Sequence, residues 1–382
     1  MKEGNSASLL THVKTSELEK TDDASFKISS LDEDISIEKM EHIKGIALIL
    51  LMWHHLFGCD YISSWITPLK GLDIMFGLGS RLCLGIFLFC SGYGLYKSYL
   101  NKKTVKRNYI LKRFIKILIP YWVVMLVTIA YLIFADSFNP HHFFSNLFAW
   151  NDEVLYVSFA WYIKLYILLM LIMPLVRFIN LNLKKRIFYD IVVFVLLPFV
   201  LQYIFISIDY KTSFPAVAVS FLDPVDMLIY WFPLFAIGII FAKYNIYIRI
   251  RKFYTRMPHQ LIIALSLVIA VLTIFLRYAF NYPSLTDSIY SPVFTVCCLL
   301  IMDNIRFKSK YIIPYLGKKS VYFWLLSGIF FLNTSELLPA ITWPKIPLVM
   351  LIWTLALLTP FVYLCDFVSG KLIGLLLNKH NT

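Results

Sequence analysis

The stretch 44-KGIALILLMWHHLFG-58 starts like an ordinary membrane-entering helix and ends on two adjacent histidines, His54 and His55, where a spanning helix usually keeps leucine. Reading it as a span sets the class of the whole chain, because apolar runs of the same kind recur along its length. Of the 382 residues, 59% are hydrophobic and 15% charged, against about 25% charged in soluble domains. A helix crosses a bilayer core with roughly 17–25 mostly apolar residues. Ten such segments can be read, at about 43–62, 72–96, 114–135, 159–178, 187–208, 225–243, 260–280, 289–305, 320–338 and 346–367. The eighth is short, which predicts a tilted or pinched helix. The expectation is an all-α integral membrane protein of about ten transmembrane helices, occupying 41–370.

The ends differ in character. Residues 1–40 mix Ser, Thr, Asp, Glu and Lys with few large apolar side chains, so they cannot bury enough surface to offset the entropy of ordering. They read as a disordered cytoplasmic tail, without the apolar middle or cleavage site of a signal peptide. Residues 371–382 read as a short cytoplasmic tail.

A net charge of +13 would suggest nucleic acid as the partner of a soluble protein, but its distribution excludes that reading here. The connections 97–116, 177–186, 243–256 and 306–319 carry 22 Lys and Arg, whereas the alternating ones carry 4. Positive charge marks the cytoplasmic side, so both termini are expected there, with the bilayer as partner and no nucleic acid. Such loops suit anionic lipid and could also receive an anionic cofactor. Six cysteines, at 59, 83, 90, 297, 298 and 365, lack metal spacing and read as small packing residues. No Walker loop, GxGxxG, HExxH or GxSxG occurs, which argues against an ATP-driven pump or a hydrolase elbow.

Intramembrane ionisable groups are expensive, and each marks a functional hypothesis. Lys44 and His55 are eleven residues apart, so they return to one helical face within about 20° and stand about 16 Å apart along the axis. Lys44, Leu48, Leu51 and His55 form one stripe, while His54 points about 80° away. A snorkelling lysine below an interfacial histidine pair is the plainer account. In the second segment Arg81 lies near the midplane, with Gly77, Gly85 and Gly92 on its face. Small residues there admit a close helix or a ligand. Asp73, the nearest carboxylate in sequence, sits two turns away and about 80° round, which weakens a simple salt bridge for Arg81. Lys164 lies a turn and a half inside the fourth segment, after the aromatic loop PHHFFSNLFAWNDEVLYVSFAW (140–161). That loop suits either a carbohydrate face or an interfacial aromatic belt.

Together these stretches resemble the membrane acyltransferase family three. Lys44-x10-His55 is similar to its Arg-x10-His signature, and GIFLFCSGYGL (85–95) to its FF-x-x-SG segment. LKRFIKILIPYW (111–122), AWYIKLY (160–166), WFPLFAIGIIFAKYNI (231–246) and LGKKSVYFWLL (316–326) look like later family segments in the right order. The resemblance covers about 40–370. It implies a ten-helix enzyme of a bacterial cytoplasmic (inner) membrane that moves an acyl group, usually acetyl from cytoplasmic acetyl-CoA, to a polysaccharide or lipid-linked glycan acceptor.

It further implies that His55 is the catalytic group and Lys44 an aid to cofactor binding. Lys106, Arg107, Arg113 and Lys116 are then placed on the CoA phosphates. Ser91, Trp161 and Lys164 fall on the substrate side. Arg81 is the candidate for the oxyanion, since acyl transfer needs positive charge or donors there beside a base such as imidazole. No metal is expected. The sequence departs from the family at Lys44 (usually Arg), at Lys116 (usually Arg) and at Ser327, where relatives often carry histidine. Transfer is expected to finish within the membrane domain or on a separate extracytoplasmic transferase, and a homo-oligomer is open. A transporter or flippase of an acyl donor or lipid-linked sugar, and a noncatalytic relative, are the competing readings.

Overall fold

The computed structural model describes residues 35–58, 70–102, 108–150, 155–182, 186–280, 283–305, 311–331 and 337–378. The long elements are α1 (Ile37–Phe57), α2 (Lys70–Gly79), α3 (Cys83–Leu95), α4 (Tyr109–Phe134), α5 (Trp161–Asn182), α6 (Ile187–Ile191), α7 (Leu197–Ile208) and α8 (Ala216–Tyr244). They continue with α9 (Ile246–Tyr254), α10 (His259–Ala279), α11 (Pro283–Asn304), α12 (Ile312–Lys318), α13 (Ser320–Phe331) and α14 (Pro347–Asn378). A 3-10 turn, Ser80–Leu82, joins α2 to α3, and a π-helical turn, Tyr96–Leu100, extends α3. No strand occurs among the described residues. Of the expected tails 1–40 and 371–382, residues 1–34 and 379–382 lie outside them, whereas 37–40 open α1 and 371–378 end α14.

Eight of the ten expected segments are helices long and apolar enough to cross a membrane. The first and ninth are helical but of another kind. Helix α1 runs for 21 residues with Glu38, Lys39, Glu41 and Lys44 in its opening turns. Helix α13 has 12 residues among those described, where a span needs roughly 17, and 332–336 of that segment lie outside them. The pinch expected of the eighth segment does not arise: α11 reaches 22 residues by taking in 283–288. Its Asp287 is ion-paired with Arg277 of α10, both buried.

The bundle is built around α1, whose Ile43, Ala47, Leu48, Leu51 and Met52 are all buried against α2, α3, α12 and α13. Glycines bring backbones together where it matters most. Gly92 of α3 faces the Phe235 carbonyl of α8, and Gly238 of α8 faces the Phe89 carbonyl of α3; a Cβ at either would overlap backbone. Gly77 and Gly85 likewise press on Phe57 and Ser291. The small residues around Arg81 therefore serve helix packing and leave no ligand space on that face.

The four basic connections meet at one end of the bundle. Arg177 donates to the Lys102 carbonyl at 2.8 Å, and Lys243 pairs with Asp190 at 2.6 Å. Asp303 takes Lys39 at 2.7 Å and Arg251 at 2.9 Å, and Lys319 pairs with Asp366 of α14. Asp303→Ala removes the carboxylate clasping α1, α9 and α11. Charge-assisted hydrogen bonds are worth about 1.5–3 kcal/mol, so the expected loss is about 2 kcal/mol, seen as a lower Tm in detergent. An unchanged Tm would show that the clasp contributes nothing to stability.

Candidate active site

On α4, Tyr109, Lys112, Arg113 and Lys116 recur at helical spacing and so share one face. That face, the stripe of α1 at Lys44 and the start of α13 enclose a cavity of about 600 Å3. Its walls include Ser91 and Phe87 of α3, Tyr162 and Tyr166 of α5, Gly317 and Lys318 of α12, and Trp324 of α13. Among the described residues five cations, Lys44, Lys112, Arg113, Lys116 and Lys318, line it, and no Asp or Glu does.

Arg113 is held in the wall. Its Nη2 donates to Ser98 Oγ at 3.0 Å and to the Tyr109 hydroxyl at 2.8 Å, its Nε reaches the same hydroxyl at 3.1 Å, and Tyr166 is a further partner. Ser98 is presented by the π-helical turn, where its Oγ also donates to the Gly94 carbonyl at 2.7 Å. The four lysines have no carboxylate partner among the described residues. Uncompensated like charges in a concave, partly apolar wall make a strongly positive potential. A polyanion relieves it.

The inner wall is aromatic. Tyr162 meets Trp324 edge-on, ring centroids 4.8 Å apart, and its hydroxyl is hydrogen-bonded to Ser91. His55 lies further along the α1 stripe, buried, and is not part of the cavity lining. Its ring stacks on Phe159 at 3.9 Å with an interplanar angle of 16°, and Phe331 meets it edge-on at 5.8 Å. Its Nδ1 has no hydrogen-bond partner among the described residues. Packing, not a carboxylate, orients this imidazole. Ser327, on the departure from the family pattern, is buried and donates to the Trp324 carbonyl at 2.6 Å. It closes a local bond inside α13.

His54 is placed otherwise. Its Nδ1 is 2.8 Å from the Gly77 carbonyl, and a carbonyl only accepts, so Nδ1 carries the proton. Arg81 sits in the 3-10 turn that interrupts the second rod, within electrostatic reach of His54 and Asp287. The carboxylate near Arg81 is thus Asp287 of α11, whereas the side chain of Asp73 lies outside what is described. Arg81 is grouped with His54, one residue from the stripe of His55.

The structure gathers Lys44, Ser91, Arg113 and Lys116 of the sequence-derived set around one cavity, with Arg81 and His55 outside its lining. Trp161 and Lys164 turn elsewhere. Trp161 packs on Trp231 of α8, centroids 5.6 Å apart, and the buried Lys164 ammonium lies 5.3 Å from the Trp150 ring. Their helix neighbours Tyr162 and Tyr166 line the cavity instead. Lys106 and Arg107 fall outside the described residues. The aromatic loop before α5 is fastened to α4: Tyr121 donates to the Asn146 carbonyl and Trp122 to that of Leu147, the latter at 2.7 Å. The five described cysteines are free and buried. Among the described residues no three His, Cys, Asp or Glu side chains are grouped to hold a metal ion.

Over residues 37–369 the chain matches the family model described as an acyltransferase domain, the third acyltransferase family. The chain belongs to that family of multi-pass membrane acyltransferases. No curated protein and no solved structure gives a significant match to it.

Proposed function

We propose that this chain is a transmembrane O-acyltransferase carrying an acyl group, most simply acetyl, from cytoplasmic acyl-CoA to a hydroxyl of an extracytoplasmic polysaccharide or lipid-linked glycan. The observation that carries this reading is the cavity at the basic end of the bundle, lined among the described residues by five cations and no carboxylate. The donor set fits CoA, whose phosphates are polyanionic: Lys112, Arg113, Lys116 and Lys318 would hold them, with Lys44 at the foot of the stripe leading to His55. Bound there, the thioester supplies the acyl carbon, to which the acceptor oxygen bonds as the carbon–sulfur bond breaks. His55 takes the acceptor hydroxyl proton and returns it to the leaving thiolate. Arg81 stabilises the negative charge on the carbonyl oxygen. Tyr162 and Trp324, packed on each other in the cavity wall, keep bulk water from the thioester. The basic end faces the cytoplasm under the charge-bias rule, so donor and acceptor reach His55 from opposite sides.

The deciding measurement is the acyl content of surface glycan from cells lacking the gene and from the same cells carrying it again. Acyl groups lost and then restored support the reading, and unchanged content overturns it in favour of transport. Within the proposal, Lys44→Ala and Arg113→Ala are each expected to raise KM for acyl-CoA roughly tenfold, the scale of one charge-assisted hydrogen bond. Arg113→Lys is expected to recover little of this, because an ammonium lacks the planar fork by which Nε and Nη2 together hold the Tyr109 hydroxyl while Nη2 reaches Ser98. Membranes assayed with labelled acyl-CoA report both. Unchanged KM in both alanine variants would remove the cavity from donor binding.

A further inference from the structure

A second cavity, of about 540 Å3, lies on the other side of the bundle, between α8, α9, α10 and α11. Its walls are apolar, with Ile269 of α10 facing Val293, Val296 and Leu300 of α11, and Ile250 of α9 beside them. From Leu300 to Val293 it follows α11 for seven residues, about 10 Å at the helical rise. One lining residue is charged: Arg249.

Helix α9 explains why a charge belongs there. It follows Asn245, whose φ of 50° turns the chain sharply after α8, and it alternates Ile246, Ile248 and Ile250 with Arg249, Arg251 and Lys252. A short amphipathic helix of this make-up lies in the membrane interface. It is pinned there by Asp303, which accepts from Tyr247 and pairs with Arg251. Arg249 and Arg256 remain exposed and have no carboxylate partner among the described residues. An apolar slot reaching into the bilayer, with one unpaired guanidinium in its wall and a second seven residues further along the chain, matches one kind of molecule.

We propose that this slot holds an acyl chain of an anionic glycerophospholipid from the surrounding bilayer, with the phosphate seated by Arg249 and Arg256. The site shares no residue with the five-cation cavity and stands independently of the acyl-transfer reading. A soluble anionic ligand would leave the apolar length unused. A neutral lipid would leave the guanidinium groups unmatched.

The test is thermal unfolding of the full chain, purified in a neutral detergent. It is titrated with phosphatidylglycerol, with phosphatidylcholine of the same chains, and with glycerol phosphate. A basic residue near an anionic lipid surface contributes about fivefold in affinity, so two give roughly a 25-fold preference. Phosphatidylglycerol should stabilise at that much lower a mole fraction than phosphatidylcholine, and glycerol phosphate should not stabilise. R249Q with R256Q should bring the two lipids together without changing the Tm measured in detergent alone. Val296→Trp, which fills the slot, should abolish the response to both; if it fails to fold, the charge variants decide. Equal response to both lipids in the unaltered protein, a preference that survives in the double variant, or stabilisation by glycerol phosphate would each overturn the site.

Discussion

His55→Ala is expected to lower acyl transfer by at least about 100-fold, the lower bound for losing a positioned general base, while His54→Ala retains most activity. The two imidazoles are adjacent and equally available to sequence reasoning, yet the fold treats them differently. His54 is tied through Nδ1 to the Gly77 carbonyl, so its loss breaks a contact between α1 and α2. His55 is clamped between Phe159 and Phe331 with Nδ1 unpartnered, an arrangement with no evident purpose in packing alone. Removing the ring leaves a void, which costs stability as well as chemistry. His55→Phe therefore serves as the control: it keeps an aromatic ring in the stack and should be as inactive as the alanine variant, at a Tm close to the unaltered protein. The readout is acyl content of surface glycan together with the Tm of each purified variant. Activity lost in His54→Ala and kept in His55→Ala would transfer the base to His54, whose proton on Nδ1 leaves Nε2 free to accept, with Arg81 beside it.

Gly92→Leu is expected to abolish the folded protein. The α3–α8 seam is reciprocal: each helix presents a glycine to a backbone carbonyl of the other. Both partners are backbone, so neither can rotate away as a side-chain tip would. A Leu side chain at 92 must push α8 outward along its length and open contacts with Leu234, Phe235 and Ile239, all buried. Overpacking of a tight core costs about 1–3 kcal/mol even where side chains can adjust. Here a whole helix has to move. The measurement is monodispersity and yield after solubilisation, with Gly238→Leu expected to fail alike. A monodisperse Gly92→Leu protein of normal Tm would show that the two helices do not approach as described.

Much of this was legible in the sequence, for reasons tied to particular residues. Eight spans announced themselves by composition, since a lipid-facing helix needs apolar side chains all round, as Leu171, Val268 and Leu364 show by their exposure. Helix α1 was harder, because Glu38, Lys39, Glu41 and Lys44 dilute its hydropathy while its inner two-thirds fill the centre of the bundle. Lys44, Arg113 and Lys116 could be found because charge at a helix start is a local signal. Tyr109, Tyr162, Tyr166 and Trp324 could not, because aromatic residues on apolar helices usually signal packing. Asp287 was invisible as the neighbour of Arg81: the two are brought together by α11 returning beside the second rod, and no local spacing encodes that.

The seat of α1 carries a lesson about biogenesis. Gly45 rests against the Ile313 carbonyl, and Gly317 rests against that of Glu41, so α1 docks onto a helix translated long after it. Until α12 emerges from the ribosome, a segment with four charged residues in its opening turns can pack only on the side that α2 and α3 cover. The seat of α1 therefore cannot be completed in the order of translation. The nascent chain has to shelter α1 at the translocon or in the headgroup layer, then thread it between partners that arrive late. A ribosome stalled before residue 312 would leave every long span up to α11 inserted and the central helix covered on one side only, a state that membrane quality control can recognise by its open α12-facing side.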